Sequence, residues 1–91
     1  MIEDQTQPLL ARGTRLIADK ATGQPVLLFP EGAVHLSETA HAILSRCDGK
    51  SSFKSIITSL ADEFNADEAG VRKDVEECLA ELHRRKLIVL S

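Results

Sequence analysis

Three side chains of the kinds that bind zinc stand near one another in the sequence: His35, His41 and Cys47. Imidazole nitrogens and thiolates are the usual protein ligands of that ion. However, His35 falls on a predicted strand, His41 on the outer face of a predicted helix, and Cys47 on the apolar face of the same helix. We therefore expect two surface imidazoles and a core thiol, with no metal and no other cofactor bound.

Catalytic chemistry has little support elsewhere in the chain. An enzyme needs a nucleophile with a base, or a set of suitably placed acidic groups. The acids of the third predicted helix are explained by a solvated face, since Glu68 is spaced i,i+4 from Arg72 as in an ordinary surface ion pair. Glu81 and Arg85 share this spacing. The sequence predicts a protein that is not an enzyme.

The composition is that of an ordinary globular chain, and its 91 residues are the length of one domain. A net charge of -3 disfavours nucleic acid as a partner. No apolar run reaches the roughly 20 residues that cross a bilayer, and the first residues lack the basic and apolar parts of a signal peptide. We expect a cytoplasmic protein with no membrane partner, in which Cys47 and Cys78 are reduced core residues.

A small antiparallel sheet is predicted near the N-terminus. Residues 1–13 have no usable period and are predicted to form a flexible N-terminal arm, which leaves residues 14–91 as a single domain. Alternating and β-favouring residues predict strands over residues 15–19, 25–29 and 33–36. A turn around Gly23 and another at Pro30, Glu31 and Gly32 would join these strands as hairpins.

Three helices should follow the sheet, with Ser37, then Ser51 or Ser52, and then Asp67 as N-caps. Apolar residues recur at helical spacing in each, and the first helix is predicted to reach about residue 47. The last apolar run, residues 87–90, is either a terminal strand or a cap on the core. The order of elements predicts an α+β fold that is winged helix-turn-helix-like, with an N-terminal three-stranded antiparallel sheet followed by three helices.

That order raises DNA binding as a function. The third helix would then enter the major groove, where basic residues are needed. Between residues 67 and 81 it carries six acidic residues against only Arg72 and Lys73. A winged-helix DNA-binding regulator stays the alternative function, and phosphate repulsion by this acidic helix is the argument against it.

The predicted sheet leaves its third strand at an edge, where free N–H and C=O groups can accept another strand. A helix beside that edge would complete a groove for an extended peptide. At least two apolar residues of the third helix should nevertheless be core. The same edge could instead pair with a second copy, or two copies could exchange terminal segments, so a homodimer is also predicted. The predicted peptide-binding residues are Ala33, Val34, His35, Leu36, Val71, Asp74, Val75, Cys78, Leu79 and Leu82.

Several stretches resemble the coenzyme pyrroloquinoline quinone (PQQ) biosynthesis protein D family. They are VLLFPEG at residues 26–32, ETAHAILSRCDG at residues 38–49 and the pair Asp74-Val75. The resemblance covers about residues 8–88. It implies a non-catalytic peptide chaperone of winged-helix type, a recognition element for ribosomally made and modified peptides.

The resemblance also implies partners. One is the precursor peptide of PQQ, added as a strand beside residues 33–36 and lying against the near face of residues 71–82. The other is a radical S-adenosylmethionine enzyme, to which the peptide would be presented for cross-linking of a Glu and a Tyr. Similar domains serve other peptide-modifying clusters, so a recognition element of another such cluster is a further alternative.

Overall fold

The computed structural model describes residues 2–91, which form five strands and three helices. The strands are β1 (Pro8–Leu10), β2 (Arg15–Ala18), β3 (Pro25–Phe29), β4 (Gly32–His35) and β5 (Ile88–Leu90). The helices, which lie between β4 and β5, are α1 (Glu38–Leu44), α2 (Phe53–Glu63) and α3 (Glu68–Arg84). The predicted α+β class, a three-stranded antiparallel sheet followed by three helices, is confirmed.

The three-stranded sheet has the order β2-β3-β4. Its two hairpins set the register, with Leu16 opposite Leu27 and Leu27 opposite Val34. Successive side chains of a strand point to opposite faces, and Leu27, which is completely buried, marks the face that packs on the helices. The predicted turns at Gly23 and at residues 30–32 therefore determine which strand lies in the middle.

Each helix begins at a predicted N-cap. Side-chain oxygens of Ser37, Ser52 and Asp67 accept hydrogen bonds from backbone N–H groups three residues further on, which would otherwise lack partners. The first helix ends earlier than predicted, at Leu44. After it the N–H of Cys47 donates to Leu44 O, an i to i−3 bond that tightens the last turn and ends the α-helical pattern.

The expected flexible arm over residues 1–13 needs correction, because part of it is a strand. β1 pairs antiparallel with β5, with Pro8 opposite Leu90 and Leu10 opposite Ile88. Further backbone bonds join Gly49 N to Pro8 O and Phe53 N to Thr6 O, at 2.9 and 2.7 Å. Each of these strands has only three residues. A pattern that short does not predict that the two ends of the chain pair with each other.

The core lies between the sheet and the three helices. Both cysteines are free thiols; Cys47 is buried and Cys78 is half-buried against the same core. No helix within residues 2–91 combines the length and the apolar character that crossing a bilayer requires. The buried residues that form the core cluster are Ile2, Leu27, Ala42, Ile43, Leu44, Cys47, Phe53, Ile56, Ile57, Leu60, Val75, Leu79, Leu82, Leu87 and Ile88.

Candidate functional site

The outer edge of β4 has a row of backbone groups that the sheet does not use. Leu36 N–H donates to Pro25 O at 3.0 Å. Pro25 of β3 and Leu36, the residue after β4, therefore form a hydrogen-bonded pair. Hydrogen-bonded and non-hydrogen-bonded pairs alternate along an antiparallel ladder. Ala33 and His35 therefore direct their N–H and C=O groups away from β3, toward the free edge. An added strand would pair with these two residues.

The side chains of β4 divide between two faces. Val34 and Leu36 are half-buried, and Leu36 packs against the core. His35 is on the opposite face, with 67% of its side chain exposed, and its Nε2 atom lies 3.6 Å from Asp19 Oδ2. A hydrogen bond from the backbone of Ala21, together with the contact to His35, holds the pKa of Asp19 below its usual value. This contact ties the end of β4 to the β2–β3 turn.

The predicted site residues on α3 fall into two groups. Val75, Leu79 and Leu82 are buried in the core, which confirms the expectation that at least two apolar residues of this helix would be core. Val71 and Cys78 are half-buried and Asp74 is exposed. Only the second group presents surface on which a ligand could lie.

A groove runs between α1 and α3 and begins where β4 ends. We define this α1–α3 groove by two adjoining cavities of about 340 and 250 Å³, which share Thr39, Ile43 and Asp74. The structure thus brings Asp74 and Cys78 into one cavity with Ser37, two residues after β4 ends. The residues lining the first cavity are Ser37, Thr39, Ala40, Ile43, Asp74, Glu77 and Cys78. Those lining the second are Thr39, Ile43, Leu60, Phe64, Ala66, Val71, Asp74 and Val75.

The contribution of α1 to this groove was missing from the sequence prediction. Ser37, Thr39, Ala40 and Ile43 line it, and Glu77 faces them from α3. One signal was present: Ser37 caps α1 directly after β4, so the first turn of α1 has to lie close to the end of the strand. Its position against α3 depends on tertiary packing, which no local pattern contains.

The charge state of the groove is set by carboxylates and a neutral thiol. Asp74 and Glu77 form no ion pair within the described residues 2–91. Burial raises the pKa of the Cys78 thiol above its usual value. Burial, with smaller effects of Cys78 and Asp48, raises the pKa of Cys47 to about 12. Both thiols are therefore protonated at neutral pH, and the groove is acidic over an apolar floor.

The residues considered first for metal binding are not brought together. His35 lies on β4, whereas His41 lines a different cavity beside β2 and Cys47 is in the core. In the part of the chain that the structure describes, no three His, Cys, Asp or Glu side chains are arranged to hold a metal ion. The ion pairs also differ from the predicted spacing: Arg72 contacts Asp4 at 2.8 Å, and Glu81 contacts Arg84.

Comparison with known proteins finds relatives that carry the same name and match most of this chain. The PqqA binding protein of Xanthomonas oryzae pv. oryzae is 44% identical over 84 residues, covering 92% of this chain and 91% of that one. The PqqA binding protein of Xanthomonas campestris pv. campestris is 41% identical over 83 residues, covering 91% and 90%.

Two solved structures share the fold. The first is the solution NMR structure of the PqqD truncation of Methylobacterium extorquens PqqCD, described as a functional, stand-alone recognition element for ribosomally synthesized and post-translationally modified peptides. It matches with a TM-score of 0.78 and 33% identity, over 90% of this chain and 87% of that chain. The second is the crystal structure of PqqD from Xanthomonas campestris, with a TM-score of 0.60 and 39% identity over 96% and 97% of the chains.

The family model for coenzyme PQQ synthesis protein D matches residues 25–88. This range includes β3, β4, all three helices and the groove between them. The relatives cover nearly the whole chain at more than 40% identity. The chain therefore belongs to the coenzyme PQQ synthesis protein D family.

Proposed function

We propose that this protein is a peptide-binding accessory protein that captures the PqqA precursor peptide by strand addition at β4. The observation that carries the proposal is the free edge: Ala33 and His35 offer unpaired backbone groups at the point where the α1–α3 groove begins. An extended peptide gains main-chain hydrogen bonds from such an edge and side-chain specificity from adjoining pockets. The names of the relatives, PqqA binding proteins and a peptide recognition element, support the choice of ligand.

The proposed contacts follow from burial. On β4 they are Ala33, Val34 and His35, followed by Leu36 directly after the strand. On α3 the half-buried and exposed residues Val71, Asp74 and Cys78 would meet the peptide directly. We assign a supporting role to Val75, Leu79 and Leu82, whose buried side chains hold α3 in place, and Val75 also forms part of the wall of the second cavity.

We further propose that the bound peptide is presented to a radical S-adenosylmethionine enzyme, which cross-links a Glu and a Tyr of the peptide. The resemblance to the family implies this role, and the family membership supports it. Holding the substrate on a carrier that also binds the enzyme raises the effective concentration of substrate at the enzyme. No catalytic step is assigned to this protein.

A titration tests the proposed function. Unlabelled PqqA peptide from Xanthomonas oryzae would be added to the isotope-labelled protein while backbone amide shifts are followed. We expect saturable shifts at Ala33 and His35 and at the groove residues Asp74 and Cys78. Lack of binding at micromolar peptide would refute the function, whereas binding with shifts only outside these elements would refute the site.

A homodimer through β4 is proposed as a competing state. Two β4 edges could pair with each other through the same outward groups of Ala33 and His35, because an uncovered edge accepts any compatible strand. The dimer would then be unable to bind peptide. Light scattering should show the protein becoming monomeric as PqqA is added, and a dimer that persists at saturating peptide would show that it uses another surface.

A further inference from the structure

A second cleft lies at the opposite end of β4, beside the β3–β4 turn. We call it the basic cleft, because Arg12, Arg85 and Lys86 line it. Its volume is about 250 Å³, and Phe29 and Leu87 contribute apolar surface to it. Glu31 is the one acidic residue among those that line it. The cations come from two separate parts of the chain, the segment before β2 and the end of α3.

Within residues 2–91 the cations of this cleft differ from three other arginines of the protein in having no carboxylate partner. Arg46, Arg72 and Arg84 each form an ion pair, with Glu63, Asp4 and Glu81. Within residues 2–91, Arg12, Arg85 and Lys86 form none. Three cations against one carboxylate leave a local positive charge in a protein whose net charge is -3. The cleft is therefore suited to a carboxylate-bearing ligand.

The two clefts lie near the two ends of β4, and the basic cleft also includes the segment just before β2. The α1–α3 groove starts at Ser37 and contains Asp74 and Glu77, whereas the basic cleft contains Glu31 and the residues just after α3. Along β4 the chain runs from the basic cleft to the acidic groove, and along α3 it runs the opposite way. Four strand residues span about 13 Å, so a single extended segment of six to eight residues, about 20 to 26 Å, would reach both.

We infer that the bound peptide segment is charge-polarised, with an acidic side chain in the basic cleft at the Gly32 end of β4. This inference rests on the proposed function, since it names the chemistry of the peptide bound at that site. The strand-pairing groups of Ala33 and His35 are backbone atoms and accept any sequence. The charged clefts at the two ends would select the peptide and fix the direction in which it lies.

A charge-neutralising variant tests this inference. In R12Q/R85Q both side chains keep hydrogen-bond donors but lose their charge, while K20Q/K54Q removes the same charge at two exposed sites away from the cleft. Affinity for Xanthomonas oryzae PqqA would be measured by fluorescence anisotropy at low salt. We expect about tenfold weaker binding by R12Q/R85Q, because each exposed charge contact contributes about threefold. K20Q/K54Q removes only the long-range attraction of two charges, so its affinity should change by less than about twofold.

A double-mutant cycle identifies the acidic group. PqqA peptides with each Asp or Glu replaced by Asn or Gln would be titrated into the unaltered protein and R12Q/R85Q. One acidic position should lose its effect in the variant, and no other should. If the unaltered protein binds PqqA and R12Q/R85Q binds it equally well, or if no acidic position is coupled, the basic cleft has no role in peptide selection. If the unaltered protein does not bind PqqA, the proposed function itself fails.

Discussion

The three-stranded sheet has two free edges, β2 and β4, and they differ in what lies beside them. On β2 the backbone groups of Leu16 and Ala18 point outward, because Asp19 N–H donates to Gln24 O and hydrogen-bonded and non-hydrogen-bonded pairs alternate from there. Next to this edge is a wide cavity of about 780 Å³. Its charged lining includes Arg46 and Glu63, which pair with each other, and Glu38, which forms no ion pair within residues 2–91.

Beside β4 the charges are unpaired. Asp74 and Glu77 lie at one end of this strand and Arg85 and Lys86 at the other, each free of ion pairs within residues 2–91. The larger cavity therefore has one ion pair and one unpaired carboxylate in its lining, whereas the cavities at the two ends of β4 have no ion pair in theirs within residues 2–91. Free backbone groups make an edge able to accept a strand, and we propose that the unpaired charges near the ends of β4 make this edge selective.

The largest expected effect comes from blocking each edge in turn with the same substitution. Ala33 and Ala18 are both exposed and both direct their N–H outward, so proline at either position removes no bond to β3. A33P should weaken PqqA binding by about thirtyfold, because one main-chain bond is lost and its peptide partner is left unsatisfied. A18P should leave affinity within about twofold. Isothermal titration calorimetry would measure both.

Circular dichroism melting of the two proline variants provides the control for folding. Equal losses of affinity in A33P and A18P would mean that the substitution acts through stability rather than through the β4 edge. A larger loss in A18P would transfer the site to β2.

The fold elements that set up this comparison were predictable where their signals are local. Hairpin turns at Gly23 and residues 30–32 determine β2, β3 and β4, and N-caps such as Ser37 fix where the helices begin. Pairing of β1 with β5 could not be predicted, because it joins residues 8–10 to residues 88–90 and neither strand has a long enough pattern.

The proposed site was predictable to a similar extent. The β4 edge followed from strand order, whereas the placement of Thr39 and Ile43 opposite Asp74 depends on how α1 packs against α3. The missed ion pair shows the same limit: Arg72 contacts Asp4, which is 68 positions away, instead of Glu68 one turn earlier. Spacing on one helix predicts neighbours, but partners from another segment can take their place.

Cysteine alkylation tests whether the bound peptide lies in the α1–α3 groove. Cys78 lines the α1–α3 groove and Cys47 lies in the core, so a bound peptide should cover only the first. With peptide at about ten times its Kd, the free fraction is about one-tenth, and iodoacetamide should modify Cys78 about tenfold more slowly. Mass spectrometry of the modified peptides would give both rates. Unchanged labelling of Cys78 at saturating peptide would place the ligand outside the groove.

The pH dependence of stability tests the core that supports this groove. Above pH 9 the unfolded Cys47 thiol loses its proton, while the folded thiol keeps it up to about pH 12. The folded state then binds more protons, so the unfolding free energy falls as pH rises through this window, by up to about 1.4 kcal/mol per pH unit. Urea unfolding at pH 8, 9 and 10 should show a shallower fall in C47A than in the unaltered protein. Parallel curves would show that Cys47 ionises alike in both states.

The smallest expected effect is at Ile17 on β2, and it tests whether the wide cavity takes part in peptide capture. Ile17 is 39% exposed and lines that cavity. It lies two strand spacings, about 10 Å, from β4, so a peptide added at β4 would not reach it. I17T keeps a β-branched side chain while removing apolar surface, and its PqqA affinity should stay within about twofold of the unaltered protein. A loss of more than about fivefold in calorimetry, with an unchanged melting temperature, would show that β2 and its cavity bind part of the peptide and that the two edges act together.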